Sequence, residues 1–200
     1  MGALFGLLPA IGLATATGLN AFLPLFTVGL LARFNLIHLN PPFDWLSHPL
    51  VLLIIAALAV LDFVGDKVPT VDNALHALGL IIHPIAGAIL FVAANSAIGA
   101  VHPILAMICG IVLAGLTHLL RTAVRPVVTT ATAGTATPVL SIIEDIVALL
   151  LSVLAVIVPI LAGLLVLGLI GGFVWFFTRM AKPWRDSEPG NNPPTPQGIE

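Results

Sequence analysis

The sequence predicts an all-α integral membrane protein of about six transmembrane helices. Three observations carry that expectation. Of 200 residues, 59% are hydrophobic and 8% are charged, against roughly 25% charged in a soluble domain. With a mean hydropathy of +1.15, too little polar surface remains to wet a globule, so lipid must cover the exterior. The apolar residues also fall into runs of roughly 20, the length that crosses a hydrocarbon core. Finally, the few charges gather inside or beside those runs instead of coating a surface.

The first span is expected from Leu4 to Ala32, long enough to tilt or break near Gly18 and Pro24. Ala14-Thr15-Ala16 looks like a signal-peptidase site, but no Lys or Arg precedes the run and the apolar sequence continues past it, so a retained helix is expected. A polar loop follows to Ser47, with Trp45 as an interfacial anchor. The second span is Pro49 to Lys67. Pro69 to His83 mixes Asp72, His76 and His83 with apolar residues and reads as an interfacial helix or a re-entrant piece. The third and fourth spans, Pro84 to Ala100 and Pro103 to Leu120, form a tight hairpin at His102-Pro103. Arg121 to Pro138 is Thr-rich, too polar for lipid, and is expected as irregular backbone buried in protein or lining a cavity. The fifth and sixth spans, Val139 to Val158 and Ile160 to Phe177, meet at Pro159. Residues 1–182 thus form the helical transmembrane domain. Residues 183–200, rich in Pro, Asn and Gly, form a disordered cytoplasmic tail.

Charge placement sets the orientation. With six spans, one side holds Lys67, Arg121, Arg125, Arg179, Lys182 and Arg185, and the other holds Arg33. The positive-inside rule then puts both termini in the cytoplasm of a cell whose inner membrane the protein crosses. Two short echoes, Gly18–Leu23 with Gly115–Leu120 and Gly65–Val68 with Glu144–Val147, raise the expectation of two inverted three-helix repeats. Secondary transporters are often built on that plan, with the site between the halves.

The chemistry must lie in the intramembrane polar residues, because a charge at a helix centre in lipid costs roughly 2.5–3.5 kcal/mol on insertion scales. Asp62 and Asp66 are four apart, on one face of a helix. Glu144 and Asp145 are adjacent and diverge by about 100 degrees, so that one can face the interior while the other meets Arg121 or Arg125. One reading makes these acids a cation or proton site with the arginines as counter-charges; the other makes them structural ion pairs that set helix register. Asn20, beside Gly18 and before Pro24, either coordinates a ligand at a helix break or bonds between helices. The threonines of 129–135 either line a polar path or satisfy their own backbone. His48, His83 and His102 each precede a proline and read as residues at helix boundaries, whereas His118 lies inside a span, where it could join a proton relay. Cys109, the lone cysteine, reads as a packing residue and excludes an intrachain disulfide. No Walker A loop, Gly-x-Ser-x-Gly or His-Glu-x-x-His is present, so no enzymatic activity and no cofactor are expected. A net charge of -2 offers no basic face to nucleic acid.

Gly-Leu-Asn-Ala-Phe-Leu-Pro from Gly18, Gly-Asp-Lys-Val-Pro-Thr-Val-Asp from Gly65, Val-Arg-Pro from Val124 and Ser-Ile-Ile-Glu-Asp from Ser141 resemble a bacterial membrane family, domain of unknown function 4126. The resemblance implies a helical membrane fold and no particular activity. Gly65-Asp66-Lys67 is also similar to the centre of the repeated motif of lysine-exporter-superfamily cation exporters, although Phe63 stands at its acidic position and Val68 at its hydroxyl. The expected function is therefore a small transporter or channel for an ion or solute, cation- or proton-coupled. Its pathway is lined by Asn20, Asp62, Asp66, Lys67, Asp72, Arg121, Arg125, Glu144 and Asp145, with any metal left open. The alternative is a non-transporting scaffold or accessory subunit of a larger membrane complex; a homodimer is compatible with either.

Overall fold

A computed structural model describes the backbone of residues 2–65, 69–96 and 101–185 and the side chains of residues 7–65, 77–95 and 101–179. Among the described residues there are seven α-helices, one 3-10 helix and no strand: α1 (Gly2–Leu19), α2 (Phe22–Arg33), the 3-10 turn Phe43–Ser47, α3 (Pro49–Gly65), α4 (Pro69–Ser96), α5 (Pro103–Ala131), α6 (Thr137–Ile157) and α7 (Pro159–Arg185). The chain divides into two compact units, Met1–Val166 and Leu167–Glu200. In the second, Leu167, Ile170, Val174 and Trp175 are exposed, and Phe176 meets Phe177 edge to face.

Within the first unit α1 is central and packs against α4, α5 and α6. Its sequence explains why. From Ala10 to Leu19 it carries mostly Ala, Gly and Thr, and small side chains let neighbouring backbones approach on all sides. Thr15 and Thr17 are buried but return their hydroxyls to carbonyls of their own helix, so they cost little. Gly12 lies against Ala155 and Asn20 reaches Asp145, so α1 and α6 run antiparallel.

The tightest crossing joins α4 to α5. A Cβ added to Gly87 would stand 2.6 Å from the Gly110 carbonyl oxygen, and one on Gly110 would stand 2.8 Å from the Cα of Ala88. Backbone meets backbone there, and neither side can yield. Gly110→Val should therefore lower unfolding free energy by about 3 kcal/mol, the upper range for overpacking. Thermal unfolding in detergent checks this, and an unchanged midpoint contradicts it.

Four helical stretches among the described residues are long and apolar enough to cross a membrane: Ala77–Asn95, Pro103–Ala131, Thr137–Ile157 and Pro159–Arg179. Leu7–Leu19, Phe22–Arg33 and Pro49–Gly65 are apolar but shorter. Their outer faces are aliphatic, with Leu53, Ile81, Ile104, Val112, Ile143 and Leu150 all exposed, while Asn20, Asp62, Arg121, Arg125, Glu144 and Asp145 are buried. This apolar exterior around a polar interior fits a multi-pass membrane protein.

The run Leu4 to Ala32 is two helices, parted at Asn20 and Ala21, between Gly18 and Pro24. Two expectations need correction. The separate interfacial piece expected over Pro69 to His83 is instead the first half of α4, which continues through Pro84. Likewise α5 continues through Pro126 to Ala131, which confines the irregular segment to residues 132–136. The reason is common to both prolines. A proline removes one helical hydrogen bond, whereas unwinding the segment in apolar surroundings would strand many. The hydroxyls of Thr122, Thr129, Thr130 and Thr132 bond to the carbonyls of His118, Arg125, Pro126 and Val128. They serve their own helix, and the Thr129 hydroxyl also meets that of Thr137 on α6 at 3.0 Å.

Candidate functional site

The site begins at the interruption between α1 and α2. A helix break orphans amides on one side and carbonyls on the other, and in an apolar interior each orphan needs a partner. Asn20 supplies the amide side. Its Oδ1 accepts from the backbone N–H groups of Phe22 and Leu23, both at 3.0 Å. Pro24, with no N–H of its own, completes the first turn of α2 without a further orphan. On the other side, the Thr17 carbonyl accepts a hydrogen bond from Nδ1 of His83, which reaches across from α4. A carbonyl can only accept, so His83 Nδ1 carries the hydrogen and Nε2 is the nitrogen that can take up or release a proton.

With Oδ1 committed to the helix end, the Asn20 amide nitrogen faces the interior. Nδ2 donates to Asp62 Oδ2 of α3 at 3.1 Å and to Asp145 Oδ1 of α6 at 2.9 Å. One nitrogen carries two hydrogens, one for each acid, and this places the two carboxylate oxygens within about 6 Å of each other. Both residues are about nine-tenths buried. Asp145 lies eight residues into α6, about 12 Å along the helix, well inside the apolar segment.

Glu144 points a different way from its neighbour. Its Oε2 accepts from Arg121 Nε at 2.7 Å and from Arg125 Nη2 at 2.6 Å. The two arginines stand four residues apart, so they share one face of α5. The backbones of α5 and α6 meet little, and this three-residue ion cluster ties them. Counting the buried charged side chains among the described residues, three carboxylates (Asp62, Glu144, Asp145) face two guanidiniums (Arg121, Arg125).

Two cavities approach the paired acids. Asp62 lines one of about 130 Å³, with Leu58, Leu61, Phe22, Gly79 and His83 on its wall. Asp145 and Asn20 line another of about 260 Å³, bounded by Leu23, Ala59 and Phe63. Behind the first, the rings of His83 and His118 stack with centroids 4.1 Å apart. Gly79 backs them: a Cβ there would stand 2.6 Å from His118 Cε1.

The structure thus brings together Asn20, Asp62 and Asp145, with Arg121, Arg125 and Glu144 adjoining. Asp66 and Lys67 lie outside the described residues, as does the side chain of Asp72. His83 departs from the boundary position expected of it. His48 and His102 do precede helix starts, and each accepts from the backbone two residues on. His83, in contrast, is buried within α4. A sequence signal for it exists in Gly79, one helical turn earlier, which clears room for a ring.

No curated protein and no solved structure matches the chain. The family model described as Domain of unknown function (DUF4126) matches residues 7–179, and the chain belongs to that family.

Proposed function

We propose that the protein is a small membrane transporter or channel, cation- or proton-coupled, in which Asp62 and Asp145 hold the transported or coupling charge. One observation carries this reading: two buried acids share a single asparagine amide at a helix break, and each lines a different cavity. Ionising both acids at that spacing is costly in a low dielectric. A proton or cation that neutralises the pair favours a closed interior, and its release favours exposure of one acid or the other. Differential binding of that kind moves a two-state equilibrium. Arg121, Arg125 and Glu144 hold α5 and α6 in register beside the pair.

In this reading the chain is a multi-pass protein of a bacterial inner membrane, with α1 and α2 as one broken crossing; because α1 and α6 run antiparallel, they are not the first and fifth of six alternating crossings. The packing of α6 against both α1 and α2 supports the pairing of α1 with α2.

The test is flux in proteoliposomes of the full chain, with gradients of H⁺, Na⁺, K⁺ and Mn²⁺ applied in turn. Wild-type protein should dissipate at least one of them. Asp145→Asn should slow that flux at least tenfold, which corresponds to about 1.4 kcal/mol of lost interaction. Wild-type vesicles as tight as empty ones would instead favour the scaffold, and co-purification at fixed stoichiometry in mild detergent would identify it.

A further inference from the structure

We infer that the coupling ion is the proton, and that it crosses the cavity between His83 and Asp62 to reach that carboxylate. This deepens the transport reading and rests on it. The argument starts from the wall of the smaller cavity. Asp62 and His83 are the two ionisable side chains on it, and both are more than nine-tenths buried. The remaining lining is aliphatic, aromatic or glycine, so these two groups are what a hydrogen-bonding guest meets there. At about 130 Å³ the cavity has room for several waters, since one needs only roughly 10–15 Å³ of such space.

The tautomer sets the direction of exchange. Because the Thr17 carbonyl holds the hydrogen on Nδ1, Nε2 is where His83 gains and loses its mobile proton. In the transfer, the N–H bond at Nε2 breaks, a cavity water passes the proton on, and an O–H bond forms on Asp62. An imidazolium and a carboxylate become a neutral imidazole and a carboxylic acid, with no net change in charge. His118 on α5 limits the source: stacked at 4.1 Å, the two rings carry one positive charge between them at lowest cost, because a second would be repelled. Among the described residues, the other charged groups on α5 and α6 are already part of the site: Asp145 and Glu144 on α6, and Arg121 and Arg125 on α5, one and two helical turns beyond His118 on the same helix. Asn20, on the far side of Asp62, keeps that carboxylate within about 6 Å of Asp145, which lines the second cavity.

The test uses full-length protein and two conservative variants. His83→Asn keeps an amide N–H to donate to the Thr17 carbonyl and removes the titrating nitrogen. Asp62→Asn keeps an oxygen to accept from Asn20 and removes the proton acceptor. In vesicles loaded with a pH-sensitive dye, each should slow proton flux at least tenfold. If wild type carries another cation without moving protons, and His83→Asn carries it at the wild-type rate, the relay is wrong while the transport reading stands. If no ion moves at all, the transport reading falls, and the relay is decided by nuclear magnetic resonance titration of ¹⁵N-histidine-labelled protein in detergent. The His83 midpoint should move by about one pH unit, a tenfold change in proton affinity, between wild type and Asp62→Asn. Superimposable curves overturn the relay.

Discussion

Glu144→Ala should cost about 3–5 kcal/mol of unfolding free energy, the typical penalty for removing one side of a buried ion cluster. The size follows from what is left behind. One carboxylate oxygen receives Arg121 at 2.7 Å and Arg125 at 2.6 Å. The side chains of the three residues are at most 10% exposed, so two guanidiniums lose a counter-ion where water cannot replace it. The ion cluster is also the principal tie between α5 and α6, whose backbones meet little. Glu144→Gln separates charge from geometry: it leaves an oxygen to accept but removes the charge, and should cost about half as much. Hydrogen bonds to charged groups contribute roughly 1.5–3 kcal/mol against about 1 for neutral ones. Thermal or denaturant unfolding in detergent measures both. A loss below about 1 kcal/mol for the alanine variant would show that the arginines are stabilised elsewhere. In a double-mutant cycle with Arg125→Met, the coupling should reach about 1.5–3 kcal/mol, the upper range for directly bonded partners.

The sequence makes some of this architecture legible and hides the rest for identifiable reasons. Long apolar runs with few charges announce helices that face lipid, because no other solvent tolerates that surface. Asn20 between Gly18 and Pro24 marks a weak point: glycine destabilises a helix interior, and proline removes a bond in the turn that follows. The divergence of Glu144 from Asp145 is helical geometry alone and needs no fold to derive. Continuity through Pro84 and Pro126 is not legible, because local propensity stops a helix there, and only the absence of water around the segment overrides it. The convergence of Asp62 and Asp145 on one amide is hidden for another reason. Spacing along a helix gives the face a residue occupies but not which face of a neighbouring helix it meets. That azimuth is set by close contacts such as Gly12 on Ala155 and Gly87 on Gly110, made by small residues that look unremarkable in an apolar string. His83 illustrates both limits, since its role depends on a helix continuing through proline and on an orphan carbonyl of α1.

Asn20→Ala should be the most damaging single change to function while remaining a smaller one for stability than Glu144→Ala. The substitution removes four hydrogen bonds at once: two that cap α2 and two to the acids. Loss of a cap typically costs about 0.5–2 kcal/mol, and loss of a bond to a charged group roughly 1.5–3 kcal/mol. The acids can recover part of the latter by taking up a proton, because two carboxylates brought near each other without a donor between them share one readily. A net loss of about 2–3 kcal/mol is therefore expected, with the larger consequence for transport, since the pair would hold its proton or cation too firmly to release it. Asn20→Asp distinguishes capping from bridging. An aspartate still accepts from the Phe22 and Leu23 amides, so α2 keeps its cap, but it brings a third carboxylate to the two already there. The expected outcome is near-wild-type unfolding at acidic pH, where the added acid is protonated and can donate one hydrogen bond, and marked destabilisation as the pH rises and it ionises. Flux in vesicles should fall at least tenfold in both variants, a change equivalent to about 1.4 kcal/mol. Should Asn20→Asp unfold at the wild-type temperature from pH 5 to pH 8, Asp62 and Asp145 do not meet at Asn20. The break between α1 and α2 would then be a structural joint with no charge to move.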